Sequence, residues 1–213
     1  MSRLQIIVGS IRPGRAADLV LPWVVSRAEA HPAFDVEVLD LRDWPLPIFA
    51  EHMGSIGDIR NPTYSEPLVR RWNHKIQEGD AFLFVTPEYN HSVPGGLKNA
   101  IDSVFVSFGF RNKPAAVVGY SNGVGAGVRA VEHLAQIMVE TDSHPIRSSV
   151  LIPFVQQAFV DREPVDPATE AALGVLLDDL AWWSSALERA RAEGQLPPGT
   201  QRLRAAVAAM AGR

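Results

Sequence analysis

Four stretches of this chain are almost wholly apolar, and three of them run directly into polar or glycine-containing segments. They are residues 4–8, 81–85, 115–120 and 150–152. Apolar runs of this length are typical of strands that are buried on both faces, as in parallel sheets. Helix-compatible segments lie between and after them, including residues 15–30, 68–78, 125–141 and 166–193. This alternation predicts an α/β fold in which helices cover both faces of a parallel sheet.

A fifth segment, residues 34–39, indicates the strand order. Its side chains alternate between apolar and charged, which is typical of a half-buried strand at a sheet edge. An edge position for this strand and an interior position for the first favour a five-stranded parallel sheet in the flavodoxin-like order 2-1-3-4-5, within a three-layer sandwich. The 213 residues fit one domain over residues 1–193, followed by a linker and short C-terminal tail over residues 194–213.

Composition excludes several classes of function. The chain has no cysteine, so disulfides, thiolate nucleophiles and cysteine-ligated metals are absent. A formal net charge of −4 argues against a nucleic-acid partner, which would require a basic surplus. No apolar run approaches the ~20 residues of a membrane span, so we expect a cytoplasmic protein with no membrane partner. The histidines lack the spacing of metal ligands, and no metal site is predicted.

The loop after the first strand reads Gly-Ser-Ile-Arg-Pro-Gly-Arg over residues 9–15. A phosphate at this place would meet free backbone N–H groups and the positive end of a helix dipole. Ser10 adds a hydroxyl, and Arg12 and Arg15 add guanidinium groups. The loop is not a Walker A motif, because Arg15 and Ala16 stand where Lys and Ser or Thr are needed. The residues predict a phosphate site, and the alternative is a turn with two solvated arginines.

The segment after the third strand reads Pro-Glu-Tyr-Asn-His-Ser-Val-Pro-Gly-Gly-Leu-Lys-Asn-Ala-Ile-Asp over residues 87–102. Its first part is polar and lies between a buried strand and a helix that we expect near Pro94. The backbone amides there need partners, and a planar heteroaromatic ring with alternating donors and acceptors would provide them.

Together the two motifs closely resemble those of the NADPH-dependent FMN reductases, a flavodoxin-like group that includes azoreductases, chromate reductases and quinone reductases. The resemblance runs from about residue 4 to about residue 187. It implies an FMN-dependent oxidoreductase that passes hydride from NADPH or NADH to flavin, and on to FMN, quinone, azo or similar acceptors. The hydride chemistry belongs to the flavin, so no catalytic protein residue is assigned. The resemblance also implies a homodimer or homotetramer.

The same resemblance implies cofactor-binding residues on three loops. The first loop would hold the FMN phosphate, the second the isoalloxazine, and a turn after the fourth strand would lie near the pyrimidine end of the flavin. The residues are Ser10, Arg12, Arg15, Pro87, Glu88, Tyr89, Asn90, Ser121, Asn122 and Gly123. The family often has two glycines where this chain has Asn122 and Gly123; because Asn tolerates left-handed backbone, we expect the turn to be kept. An aromatic residue also commonly stands in place of Ser103.

Other interpretations of the sequence stay open. A non-enzymatic electron carrier of the flavodoxin type is the main alternative, although such carriers tend to be strongly acidic and to stack aromatic residues on both flavin faces. A phosphosugar-binding or nucleotide-binding module on the same fold is another. Glu88 is interpreted as a loop residue oriented by hydrogen bonds rather than as a catalytic carboxylate. His91 contacts the open flavin face or a phosphate of the pyridine nucleotide, or it is solvated.

Overall fold

A computed structural model describes residues 1–52, 54–57, 62–104 and 107–211. Five strands form one parallel sheet in the order β2-β1-β3-β4-β5. They are β1 (Ser2–Val8), β2 (Phe34–Asp40), β3 (Ala81–Pro87), β4 (Pro114–Tyr120) and β5 (His144–Ile152). The predicted order is confirmed, with β2 at the edge. The second edge strand, β5, extends beyond its apolar stretch because it begins with residues 144–149, which are mostly polar and of which none is buried.

Except for the last, which lies in the segment expected to be a C-terminal tail, the helices follow the predicted segments with shifted ends. They are α1 (Ala17–Ala30), α2 (Pro67–Glu78), α3 (Gly95–Asp102), α4 (Val128–Glu140), α5 (Pro167–Glu193) and α6 (Gly199–Ala211). Helix α1 starts two residues later than predicted and continues through Pro22. Helix α5 begins after Asp166, whose side chain accepts a hydrogen bond from the Ala168 N–H at 2.9 Å. A small hairpin, β6 (Phe159–Val160) with β7 (Glu163–Pro164), was not expected from the sequence.

The sheet separates two apolar layers, as the period of two along a strand requires. In β3, Leu83 and Val85 face one layer, which contains α1 and α5. Phe82 and Phe84 face the other layer, which contains Trp72 of α2 together with side chains of α3 and α4. Both central strands, β3 and β4, are buried along their whole length. This burial fixes their carboxyl ends, so the loops that follow start from rigid positions.

The last helix, α6, lies on the surface, and none of its described side chains is buried. The segment before it is attached to the domain through the Arg111 guanidinium, which donates to the Leu196 carbonyl. The division of the chain at residues 193 and 194 stays a prediction. Within the described ranges, no helix combines the length and the apolar character that crossing a membrane requires.

Candidate functional site

An open cleft of about 420 Å³ lies at the carboxyl ends of β1, β3 and β4. Ligands of open α/β sheets bind at this edge, where the strand order reverses. Eight of the ten residues predicted to bind cofactor line the cleft: Ser10, Arg12, Arg15, Pro87, Glu88, Tyr89, Ser121 and Asn122. Asn90 and Gly123 are not part of its lining.

The first and second loops meet directly in this cleft. The Ser10 hydroxyl lies 2.6 Å from the Tyr89 hydroxyl, although 79 residues separate them in sequence. The Arg12 guanidinium carbon lies 3.8 Å from the centroid of the Tyr89 ring, which is a cation–π contact. Among the described residues, the Arg12 guanidinium makes no ion pair, so its N–H donors stay available for a ligand.

Arg15 is placed very differently from Arg12. Its side chain is only 1% exposed, and its guanidinium binds the Asp40 carboxylate at the end of β2. It also donates to Asp18 at 2.9 Å and to the Ser10 carbonyl. Four of its five N–H donors are therefore used within the protein. A phosphate-binding role for Arg15 stays a prediction, and its contacts give it the role of holding the loop in place.

The charge of Asp40 is stabilised by this arrangement. Burial by itself would raise the pKa of Asp40, but hydrogen bonds from Arg15 and Arg42 outweigh that effect and lower the pKa to about 2. Asp40 is therefore an anion at neutral pH, and its negative charge is paired with the arginines beside it. The pair connects the start of α1 to the end of β2.

The backbone around the first loop suits an anion. Within the described part of the chain, the N–H groups of Ile11, Arg12, Gly14 and Ala16 make no hydrogen bond to protein atoms. Gly14 has a φ of +62°, a conformation that glycine adopts without strain, and Ala16 caps α1 without a side-chain acceptor. Free N–H groups at a helix N-terminus bind phosphate groups. The donors present therefore fit a phosphate monoester.

The second loop contains a tight turn that explains two of its residues. Tyr89 and Ser92 exchange backbone hydrogen bonds of 2.9 and 3.1 Å around Asn90 and His91. Both central residues have positive φ, 48° and 72°, which is the conformation of a type I′ turn. Asn is favoured at such a position, so the turn alone accounts for Asn90. The side chains of Asn90 and His91 are exposed, and a flavin contact for Asn90 stays a prediction.

Glu88 connects the second loop to the start of α4 and to the end of β4. Its carboxylate accepts a hydrogen bond from the Arg129 guanidinium at 2.7 Å and one from the Arg129 backbone N–H at 3.3 Å. The backbone N–H of Glu88 donates to the Tyr120 carbonyl at 3.2 Å. A carboxylate at this place interacts favourably with the N-terminal dipole of α4. These contacts agree with Glu88 as an oriented loop residue.

The left-handed backbone of the third loop lies closer to α4 than the sequence predicts. Positive φ occurs at Ala126 and Gly127 rather than at Asn122. A Cβ on Gly127 would lie 2.6 Å from the Tyr120 backbone nitrogen, so glycine is required where α4 begins against β4. Ser121 instead closes the loop locally, since its hydroxyl donates to the Gly123 carbonyl at 2.9 Å.

Six residues that line the cleft were missed by the sequence analysis, and three of them, Pro13, Gly14 and Ala16, are neighbours of the predicted residues of the first loop. Val155 and Gln156 follow β5, and their sequence carries no signal for binding. Tyr120 is the last residue of β4 and ends an apolar stretch, so it was interpreted as core. Its hydroxyl is buried and has no hydrogen-bond partner among the described residues. The described residues also hold no cluster of three or more His, Asp or Glu side chains suited to a metal ion.

Comparison with known proteins gives consistent results. The model of a family described as NADPH-dependent FMN reductase matches residues 2–157. An NAD(P)H-dependent FMN reductase of Pseudomonas aeruginosa is 35% identical over 178 residues, which cover 82% of this chain and 84% of that protein. A quinone reductase of Escherichia coli is 29% identical over 194 residues, covering 89% and 98%.

Among solved structures, the chain is similar to FerB, a flavoenzyme NAD(P)H:(acceptor) oxidoreductase from Paracoccus denitrificans. The TM-score is 0.68 with 26% sequence identity, and the match covers 87% of this chain and 98% of that one.

Proposed function

This chain belongs to the NADPH-dependent FMN reductase family, and from that premise we propose how its cleft is used. The protein is an FMN-dependent oxidoreductase that takes its electrons from NAD(P)H. Its acceptors are small molecules such as quinones. The relatives named above are reductases, and they lend no support to a non-enzymatic electron carrier.

We propose that FMN lies in the cleft with its phosphate on the first loop and its isoalloxazine beside the second. The contact of 2.6 Å between the hydroxyls of Ser10 and Tyr89 carries this proposal, because it brings the two loops to one place. The free N–H groups of residues 11, 12, 14 and 16 would face the phosphate. Pro87, Glu88 and Tyr89 would hold the ring on one side, with Ser121 and Asn122 on the other.

The two arginines of the first loop have separate roles in this proposal. Arg12 binds the phosphate, because its guanidinium is exposed to the cleft and makes no ion pair among the described residues. Arg15 positions the loop through Asp40, Asp18 and the Ser10 carbonyl. This assignment narrows the one drawn from the sequence, in which both arginines bind phosphate.

FMN, when bound, supplies the hydride chemistry, and the protein contributes binding and orientation. Ser10, Arg12 and the loop amides would fix the anionic end of the cofactor. The ion pair of Glu88 with Arg129 would keep the second and third loops at a fixed separation. The cleft is open to solvent on its remaining side, which leaves room for a nicotinamide and for an acceptor in turn.

A titration with FMN and NADPH tests the function. Purified protein loaded with FMN is mixed with NADPH without oxygen, and the visible flavin absorbance is followed. Rapid bleaching, with recovery when a quinone is added, is the expected result. No bleaching over hours by a protein that does bind FMN indicates the carrier alternative. A protein that binds no flavin at all indicates a nucleotide-binding or phosphosugar-binding module instead.

A homodimer or homotetramer is part of the proposal. Large apolar side chains on the surface support it, since Trp182 is 63% exposed and Val124, beside the cleft, is 83% exposed. Light scattering on the purified protein should give two or four times the chain mass of 23.3 kDa. A monomer at micromolar concentration would contradict it. A cytoplasmic location stays a prediction from the sequence.

A further inference from the structure

The Tyr120 hydroxyl lies at the cleft without a partner from the protein. The residue is 2% exposed and lines the cleft from the end of β4. Its oxygen is fully buried, and no hydrogen bond to it is found among the described residues. A buried hydroxyl without a partner costs free energy, so an isolated one in a binding cleft indicates a group that pairs with a ligand.

The neighbours of this hydroxyl place it at the phosphate end of the cleft. Tyr89, Arg15, Asp18 and Ser10 all influence its ionisation, and the Ser10 hydroxyl is near enough to act on it as a hydrogen-bonding group, although the two hydroxyls form no hydrogen bond of ordinary geometry. Ser10 and Tyr89 are already hydrogen bonded to each other, and Arg15 is paired with Asp40. Burial raises the pKa of Tyr120 further above its ordinary value, so the hydroxyl keeps its proton and can donate.

The start of α1 offers few side-chain donors of its own. Gly14, Ala16 and Ala17 have no polar side chain, and the backbone N–H groups there are the main donors. A hydroxyl that enters from β4 would complete the set of donors from the opposite wall of the cleft. Because β4 is buried along its whole length, this donor is held more rigidly than the long Arg12 side chain.

We propose that the Tyr120 hydroxyl donates a hydrogen bond to the phosphate of FMN and thereby helps the protein to select FMN over riboflavin. The inference rests on the proposed function, since it requires FMN in this cleft. It assigns Tyr120 to binding and gives it no part in hydride transfer.

Tyr120→Phe tests the proposal, because it removes only the hydroxyl. Dissociation constants for FMN and riboflavin are measured by quenching of flavin fluorescence. We expect FMN to bind roughly tenfold more weakly, the effect of one hydrogen bond to a charged group, and riboflavin to change less than about twofold. The melting temperature of the ligand-free variant should equal or exceed that of wild type, since an unpaired buried polar atom has been removed.

Tyr64→Phe is the matched control. It makes the same chemical change at a buried tyrosine outside the cleft, whose hydroxyl donates to Asn73 at 3.0 Å. It should lower the melting temperature and leave both dissociation constants unchanged.

Equal weakening of FMN and riboflavin by Tyr120→Phe would overturn the proposal, because the hydroxyl would then contact a part that both ligands share. So would unchanged FMN affinity, or a lower melting temperature of the ligand-free variant, which would reveal a protein partner. Failure of the wild-type chain to bind FMN is a separate result, and it would overturn the proposed function itself.

Discussion

The two sides of the first loop use their polar groups in opposite ways. On the Arg15 side, the guanidinium binds the carboxylates of Asp40 and Asp18 and donates to the Ser10 carbonyl of the loop. On the Tyr89 side, Arg12 only stacks on a ring, and the Tyr120 hydroxyl has no partner among the described residues. Satisfied buried pairs hold structure, whereas unsatisfied donors at a cleft are available for a ligand. One seven-residue loop therefore combines a structural anchor with a binding surface.

The largest expected effect is a loss of stability when the anchor of Arg15, Asp40 and Asp18 is broken. Arg15→Ala should lower the free energy of unfolding by about 3 kcal/mol, because it leaves the half-buried Asp40 carboxylate without its main partner. Urea denaturation measures this loss. Arg12→Ala is the control and should change stability by less than about 0.5 kcal/mol, as is usual for surface substitutions. An Arg15→Ala variant that is as stable as wild type but no longer binds FMN would reverse the roles of the two arginines.

The second-largest effect is expected on FMN affinity, when Arg12 is replaced. Arg12→Ala should weaken FMN binding by about 1.5–3 kcal/mol, the range for hydrogen bonds to charged groups. Riboflavin, which lacks the phosphate, should bind the variant and the wild type about equally. Fluorescence titration with both ligands measures this difference. Unchanged FMN affinity would show that Arg12 does not bind the phosphate.

The anchor should also make stability depend on pH. The pKa of Asp40 is lowered in the folded chain to about 2, so its contribution is fully present above the unfolded value of about 3.9 and is lost as pH falls through about 2. Over that range the wild type should lose up to about 2 kcal/mol more stability than Asp40→Asn.

Unfolding curves between pH 5 and pH 2 measure the pH effect. Asp102→Asn is the control, because it removes an exposed carboxylate whose ion pair with Lys98 contributes little. Parallel pH profiles for wild type and Asp40→Asn would contradict the anchor role of Asp40.

The smallest effect is expected at the turn of the second loop. Asn90→Ala places alanine at a φ of 48°, which should cost about 1 kcal/mol of stability, whereas Asn90→Gly should cost less. We also expect Asn90→Ala to change FMN affinity more than His91→Ala does. Thermal unfolding and FMN titration of the three variants separate the backbone effect from the side-chain effect. If Asn90→Ala and His91→Ala both have negligible effects on FMN binding, Asn90 serves only to form the turn and does not contact the flavin.

The sequence predicted the fold and the meeting of the loops because both depend on local patterns. Apolar stretches such as residues 81–85 identify buried strands, and parallel strands bring their following loops to one edge. Ser10 and Tyr89 are therefore brought together by topology alone.

The sequence could not predict how individual polar groups are satisfied. Arg15 and Arg12 look alike in the motif, and only the position of Asp40, 25 residues later, separates their roles. Tyr120 ends an apolar stretch and packs in the core, so the sequence gives no sign that it also lines the cleft. The left-handed residues Ala126 and Gly127 follow from the close approach of α4 to β4, which is a tertiary contact.

A crystal structure of the protein with FMN shows whether the cleft binds the cofactor as proposed. We expect the phosphate within hydrogen-bond distance of Ser10, Arg12 and the N–H groups that start α1, with the isoalloxazine against residues 87–89. FMN bound elsewhere, such as in the smaller cleft between Ile11, Trp44 and Asn99, would contradict the account.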